Sequence, residues 1–242
     1  PTTTAQPAPV FYSGDGANMT YRFRNLDFAK SNFKFWTVKK SDDCTAASGT
    51  GSVFCPLGSA QKGGTFDVYQ TRSNMPNGLY EVKAETYDTH YNAAVYVNKV
   101  ETVVHNDAQP ATLPTVDNTI SLQFLRGKYE RKVYGLVTNG TLRIGMRSIN
   151  PLESSERFYI ANMQVIYREK NATALASVLE SYYAMSDSIL KKDNAFYTGY
   201  RKALQQYRIT AEGSEDNEER YSQLLAIHHT LDSIENSIVL YD

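Results

Sequence analysis

The sequence predicts an all-β antiparallel jelly-roll sandwich followed by a small C-terminal α-helical bundle. Three observations predict it. Gly78–Thr86 (GLYEVKAET) and Thr141–Arg147 (TLRIGMR) alternate apolar and polar residues with a period of two, the pattern of a half-buried strand. Short segments of the same kind recur up to about residue 170, punctuated by Gly, Pro and Asn. Beyond Lys170 only Gly199 and Gly213 remain as breakers, and apolar residues recur at helical spacing. The expected organisation is a flexible lead-in over 1–9, a sandwich over 10–170 and a three-helix bundle over 171–242.

The elements follow in order. Pro1–Pro9 has almost no apolar content and reads as flexible. Val10–Tyr12 and Tyr21–Phe28 read as strands on either side of the turn Ser13-Gly14-Asp15-Gly16. Asp15 offers one oxygen to a structural calcium, but that ion takes six to eight, so the turn is the stronger reading. Trp36, the single tryptophan, suits a sandwich core, with a sugar-stacking position as the alternative. Asp42–Lys62 reads as a long irregular loop holding Cys44 and Cys55. A disulfide between them outweighs two thiols; it would close a short loop worth at most about 3 kcal/mol and implies an oxidising setting. The expected location is therefore secreted, periplasmic or cell-surface, and the start at Pro1 without Met reads as a trimmed form from which a signal peptide is gone.

Phe66–Gln70 reads as a strand, and the turn at Asn74–Gly78 leads into Gly78–Thr86, with Tyr80, Val82, Ala84 and Thr86 on one face and Glu81, Lys83 and Glu85 on the other. Tyr87–Asn92 (YDTHYN) packs Tyr87, His90, Tyr91 and Asn92 into one loop. Aromatic faces beside planar hydrogen-bonding groups are what hold a sugar; the plainer reading, a polar hairpin tip with tyrosines packed back on the sheet, carries slightly more weight. Ala93–Val97, Val100–Val104, Ile120–Leu125, Lys132–Thr138 and Thr141–Arg147 read as further strands, with a loop over Asn106–Asn118. The polar loop Ser148–Arg157 delivers Asn150, Glu153, Glu156 and Arg157, and Phe158–Tyr167, apolar on both faces, reads as a central covered strand. Three helical faces follow: Leu175 to Leu190; Phe196, Tyr200, Ala203, Leu204 and Tyr207, with Asp193 or Asn194 as cap; and Tyr221 to Ile238.

Several functions are disfavoured. The net charge is −1 and no basic stripe appears, so nucleic acid is not an expected partner. No apolar run approaches the ~20 residues of a membrane span. No G-x-S-x-G, H-E-x-x-H, P-loop or dinucleotide fingerprint is present. His228 and His229 are adjacent on a helix, a spacing that turns them apart and disfavours a shared metal.

Residues from about Asn25 to Tyr167 resemble the galactose-binding-domain-like jelly-roll modules, akin to carbohydrate-binding modules, of secreted and surface proteins of polysaccharide-using gut bacteria. The likeness rests on Asn25-Leu26-Asp27-Phe28 before Phe35-Trp36-Thr37, on Phe66-Asp67-Val68-Tyr69-Gln70 before Met75-Pro76-Asn77-Gly78-Leu79-Tyr80, and on Val137 to Gly145 (VTNGTLRIG). Phe35 stands where that family has glycine, and Phe158 and Ala161 stand where it has Trp and Asp. The resemblance implies noncatalytic recognition of a glycan or of a surface protein; the helices resemble small three-helix spacer modules only in pattern.

On this reading the ligand surface combines Trp36, Tyr87, His90, Tyr91, Asn92, Arg126, Asn150 and Arg157, with no catalytic residue. The alternative is a structural protein–protein interaction module presenting Tyr182, Tyr200, Tyr207 and Tyr221. A glycosidase ranks last, because no acidic residue sits in a recognisable catalytic phrase.

Overall fold

The computed structural model describes residues 14–28, 33–47, 52–54, 63–104, 124, 127, 129–153 and 156–239. Ten strands form two five-stranded antiparallel sheets. They are β1 (Thr37–Lys40), β2 (Thr45–Ala47), β3 (Ser52–Phe54), β4 (Phe66–Arg72), β5 (Gly78–Asp88), β6 (Ala93–Val97), β7 (Val100–Val103), β8 (Glu130–Val137), β9 (Leu142–Ser148) and β10 (Arg157–Glu169). The sheet orders are β1-β4-β9-β6-β7 and β2-β3-β10-β5-β8. Three helices follow: α1 (Ala172–Leu190), α2 (Thr198–Glu212) and α3 (Asn217–Val239). The predicted class, an antiparallel sandwich followed by a helical part, is the observed one.

The two strands with the clearest alternation sit inside different sheets, β9 at the centre of the first and β5 between β10 and β8 in the second. β5 departs from the half-exposed expectation, being covered on both faces. Glu81 is buried because Arg168 of the neighbouring strand β10 donates to it from Nε and Nη2, at 3.1 and 3.0 Å. Glu85 is buried with its carboxylate on the Tyr129 backbone N–H at 3.0 Å, and burial pushes its carboxyl pKa up. On the first sheet, a Cβ on Gly145 of β9 would lie 2.5 Å from the Val68 carbonyl oxygen and 2.9 Å from the Tyr96 ring. Only glycine fits there.

Tyr21–Phe28 is not a strand. Gly16, Ala17, Met19 and Leu26 do bond to the β10 backbone, but Thr20–Arg22 winds into a 3-10 turn, and Asn25 and Phe28 take φ of 55° and 54°. Side chains replace the missing ladder: Gln70 bonds both backbone groups of Arg24, Arg72 Nε donates to the Arg22 carbonyl, and Trp36 Nε1 donates to the Asn25 carbonyl. The expected irregular loop over 42–62 contains β2 and β3, three residues each, too short and too polar to carry a period. Val10–Tyr12, Asn106–Asn118 and all of Ile120–Leu125 except Phe124 lie outside the described residues, as do Pro1–Pro9 and Cys55, the expected partner of buried Cys44. Asp15 sits in the expected turn, closed by a bond from Ala17 N to the Gly14 carbonyl; its carboxylate meets Arg168 at 3.5 Å and accepts from Asn171 Nδ2 at 3.0 Å.

Asn171 caps α1, its side-chain oxygen accepting from Thr173 N and Ala174 N. Leu175, Val178, Leu179, Tyr182 and Ile189 are buried as their spacing predicts. Asn194 caps a short 3-10 turn, Ala195–Tyr197, that runs directly into α2. α1 lies against β5, β7 and β8, and α3 lies against α1 and α2. One apolar cluster runs from Val82, Ile144 and Val165 in the sheets to Leu175, Leu204, Leu224 and Leu231 in the helices. Lys99, in the turn between β6 and β7, pairs with Asp232 and, at 2.9 Å, with Glu235 on α3. Among the described residues no helix is long and apolar enough to cross a membrane.

Candidate functional site

Strand directions gather four segments at one end of the sandwich: the turns after β1 and before β4, the β5–β6 loop, and the β9–β10 loop. The β5–β6 loop is shorter than the sequence suggests. Tyr87 and Asp88 belong to β5, paired with Tyr159 and Phe158, so the loop is Thr89–Asn92. Asp88 shapes it from below: its two carboxyl oxygens accept from His90 N at 3.0 Å and Ala93 N at 2.8 Å. Thr89 ties the loop to β10 through a bond from its N–H to the Arg157 carbonyl and one from Arg157 N to its hydroxyl.

Glu156 locks the second loop to the first. It accepts from Asn92 N and Asn92 Nδ2 at 3.3 and 3.0 Å, and from Glu153 N at 2.6 Å. Ile149 N donates to the Asn92 carbonyl at 2.8 Å, and Asn150 Nδ2 to the Asn92 side-chain oxygen at 3.4 Å. Asp88 and Glu156 are both fully buried and hydrogen-bond to each other. Burial first, then the neighbouring Glu156, pushes the Asp88 carboxyl pKa up to about 8. Sequence reading missed this pair: Asp88 reads as a loop residue, and nothing in the spacing of 88 and 156 announces the contact. With five donors on its oxygens the pair is a clamp between loops, not an open cleft across which two acids attack a glycosidic bond.

The predicted residues separate into three groups. His90, Tyr91, Asn92, Asn150 and Arg157 do come together at this end; His90 and Asn150 are exposed, the others half-buried. Tyr91 holds a φ of 65°, a left-handed conformation unusual for a bulky residue. Tyr87 is corrected: it is buried with Phe124, Tyr159 and Ala161, its ring 5.1 Å from Tyr129, and its hydroxyl pKa is pushed up to about 12. Trp36 takes the core position preferred for it, and only its place on the ligand surface is corrected. It lies in the core, stacked on Phe28 at 5.1 Å and 16°, with its N–H on a backbone carbonyl, because the left-handed backbone at Phe35 (φ 74°) turns it inward. Arg126 lies outside the described residues.

What the sequence did not mark is the groove beside these loops. It has a volume of ≈ 540 Å³ and is lined by Lys39, Lys40, Ser41, Thr65, Phe66, Asp67, Arg147 and Ser148. Ser148 opposes Ala93 in the ladder, so the groove wall continues into the Asn92–Asn150 contact. The groove opens over the outward face of the first sheet. There the Arg147 guanidinium lies 5.2 Å from the Tyr96 ring centroid and Arg143 lies 4.2 Å from that of Tyr69. Tyr96 donates its hydroxyl to Asp67 at 2.7 Å, and Arg147 reaches Glu101 from Nε and Nη2. The signal was present in the sequence: Lys39, Asp67, Tyr69, Arg143 and Arg147 are the polar positions of alternating strands. Alternation alone does not say which strands become neighbours.

His228, His229 and Asp232 place one ligand atom each within 4.8 Å of one another, closer than their adjacency on a helix suggests. The His228 nitrogens are already engaged, Nδ1 with the Tyr182 hydroxyl at 2.8 Å and Nε2 with Thr138 at 3.2 Å and Asp232 at 3.1 Å. Lys99 occupies Asp232 as well. The cluster joins α1, α3 and the β8–β9 turn.

No family model matches the chain, and no curated protein matches it. Among solved structures it is similar to TmCBM61 in complex with β-1,4-galactotriose, with a TM-score of 0.38 and 16% identity over 61% of this chain and 98% of that one. It is similar to the enzymatically active domain of bacteriophage CBA120 tailspike protein 4, with a TM-score of 0.36 and 13% identity over 60% of this chain and 21% of that one. A structure describing carbohydrate-binding modules of the β-sandwich superfamily gives a TM-score of 0.32 and 9% identity over 64% of this chain and 63% of that one.

Proposed function

We propose that the chain is a noncatalytic carbohydrate-binding module of a secreted, periplasmic or cell-surface protein, and that its ligand lies along the loop end of the sandwich. The observation that carries this reading is the groove of ≈ 540 Å³ running into the Asn92–Asn150 contact. Its lining combines side-chain hydroxyls (Ser41, Thr65, Ser148), an acceptor (Asp67), a donor held in place by Glu101 (Arg147) and an exposed donor (Lys39). Sugar hydroxyls both donate and accept, so a mixed, pre-ordered lining of this kind suits them. Hydrolysis ranks below binding because the Asp88–Glu156 carboxyls are enclosed and engaged by backbone donors.

A glycan array tests the reading with wild type, Tyr91→Ala and Thr65→Trp. Thr65 is exposed, and an indole there fills the groove without touching the core. The reading expects wild-type signal, a weaker one for Tyr91→Ala, and none for Thr65→Trp. A silent wild type, or equal signals from all three, refutes it.

A second reading, a protein-interaction module, draws on the helices. Phe196 just before α2 is 40% exposed, and Ile209 on α2 is 63% exposed. Tyr182 does not serve it, being buried in the core. Association on sizing that disappears in Ile209→Ser would favour this reading.

A further inference from the structure

We infer that the preferred sugar carries an anionic substituent, a carboxylate or a sulfate; this rests on the glycan-binding reading above and narrows it. The groove holds three cations, Lys39, Lys40 and Arg147, against one acid, Asp67. Both lysines are exposed, and among the described residues neither ammonium has an acid within ion-pair distance. Lys39 instead hangs 5.7 Å from the Tyr69 ring centroid. The Arg143 guanidinium, on the same sheet face, donates to Thr71 and lies over the Tyr69 ring, with no acid partner among the described residues.

The acids on this face are occupied. Asp67 accepts the Tyr96 hydroxyl, and Glu101 takes two bonds from Arg147, whose Nη1 stays outside that contact. The chain as a whole is slightly acidic, with a net charge of −1, so the excess of cations over acids on this face, with Lys39 and Lys40 lacking an acid partner among the described residues, attracts an anion from outside. The registers set Lys39, Asp67 and Arg147 in one row across β1, β4 and β9, with Lys39 and Arg147 roughly 10 Å apart by strand spacing. A sugar ring spans that gap, its acid group meeting a cation at one side and its hydroxyls meeting Asp67, Ser41 and Thr65 in the middle. A nucleic acid fits less well, because a continuous phosphate chain meets Asp67 and Glu101 with like charge.

The test is titration calorimetry of the full chain, wild type and Lys39→Gln/Lys40→Gln, with four polymers: a neutral galactan, a polygalacturonate, a sulfated galactan and duplex DNA. Both lysines are exposed, so the double variant keeps its fold; far-ultraviolet circular dichroism checks this. The inference expects at least one acidic polysaccharide to bind about tenfold more tightly than the neutral one, with affinity falling as salt rises. The double variant loses about tenfold on that polymer and with it the preference. The uronate and sulfate arms identify the substituent. Equal affinity for neutral and acidic polymers overturns the inference and leaves glycan binding standing. Binding to none of the polysaccharides overturns both. DNA bound as tightly as the acidic polysaccharide overturns the inference as unselective polyanion attraction.

Discussion

Replacing Asp88 by Asn should change how stability depends on pH more than it changes stability itself. In the folded chain the Asp88 carboxyl is pushed up to about 8, whereas in the unfolded chain it titrates near the ordinary value of 3.8. Between those values the native state holds a proton that the unfolded state has released. The sign follows: stability from this residue is fully present near pH 4 and is lost as pH rises towards 8, by at most about 1.4 kcal/mol per pH unit. From pH 5 to pH 7 the loss is on the order of 2–3 kcal/mol. Asparagine resembles the protonated acid, offering Glu156 a donor, but it can accept from only one of His90 N and Ala93 N, which costs about 1–2 kcal/mol. Wild type should therefore be the more stable below about pH 4, and the two curves should cross near pH 5, with the variant the more stable at pH 7. Urea unfolding followed by the fluorescence of Trp36, the single buried indole, measures both. His228, whose pKa burial lowers, works in the opposite direction below its ordinary 6.5, so the difference between the two proteins is the diagnostic. Parallel curves across the window would show that Asp88 is not protonated in the native state.

Three further outcomes follow from geometry. Gly145→Ala pushes a methyl to 2.5 Å from the Val68 carbonyl oxygen and should destabilise by about 1–3 kcal/mol in urea or thermal unfolding. Phe35→Gly removes a 40% exposed side chain from a left-handed backbone (φ 74°); relief of ~1–2 kcal/mol against the extra unfolded-state freedom of glycine should raise stability by about 0.5–1 kcal/mol, and a lower melting temperature would contradict this. Trp36→Phe loses the bond to the Asn25 carbonyl and part of the Phe28 stack, so it should cost about 1–3 kcal/mol while leaving the glycan-array pattern of wild type in place.

Much of the fold was legible because period-two patterns are local. β4, β5, β6, β7, β9 and β10 lie where alternation puts them, and α1 is buried at most of the residues the 3.6-residue spacing selects, whereas Phe196 and Ile238, placed on the faces of the later helices, are exposed. The misses share a cause. Phe23, Leu26 and Phe28 are buried like strand residues, but Gln70, Arg72 and Trp36 supply their segment's hydrogen bonds from 11 to 50 residues away. Glu81 and Glu85 look solvent-facing until Arg168 and Tyr129 arrive from elsewhere in the chain. The candidate site was legible in part for the same reason. Asn92 and Asn150 were picked for their chemistry and do meet, whereas Trp36 and Tyr87, also placed on the ligand surface, serve the interior that the plainer reading gave them. The groove depends on β1, β4 and β9 becoming neighbours, which no single stretch of sequence encodes.

The Lys99 link and the His228–Thr138 contact give the molecule a direction. Lys99 follows the last residue of β6 and Thr138 precedes the first of β9, while Asn92 precedes the first residue of β6 and Asn150 lies beyond the last of β9. The helices therefore grip one pole and the loops crown the other, roughly 15–20 Å away along the strands. A protein that mounts this chain through its helices holds the loop crown outward at a fixed angle, like a hand on a stiff wrist. Inserting residues at the junction after Lys170 would not merely lengthen the reach; it would have to break that grip first.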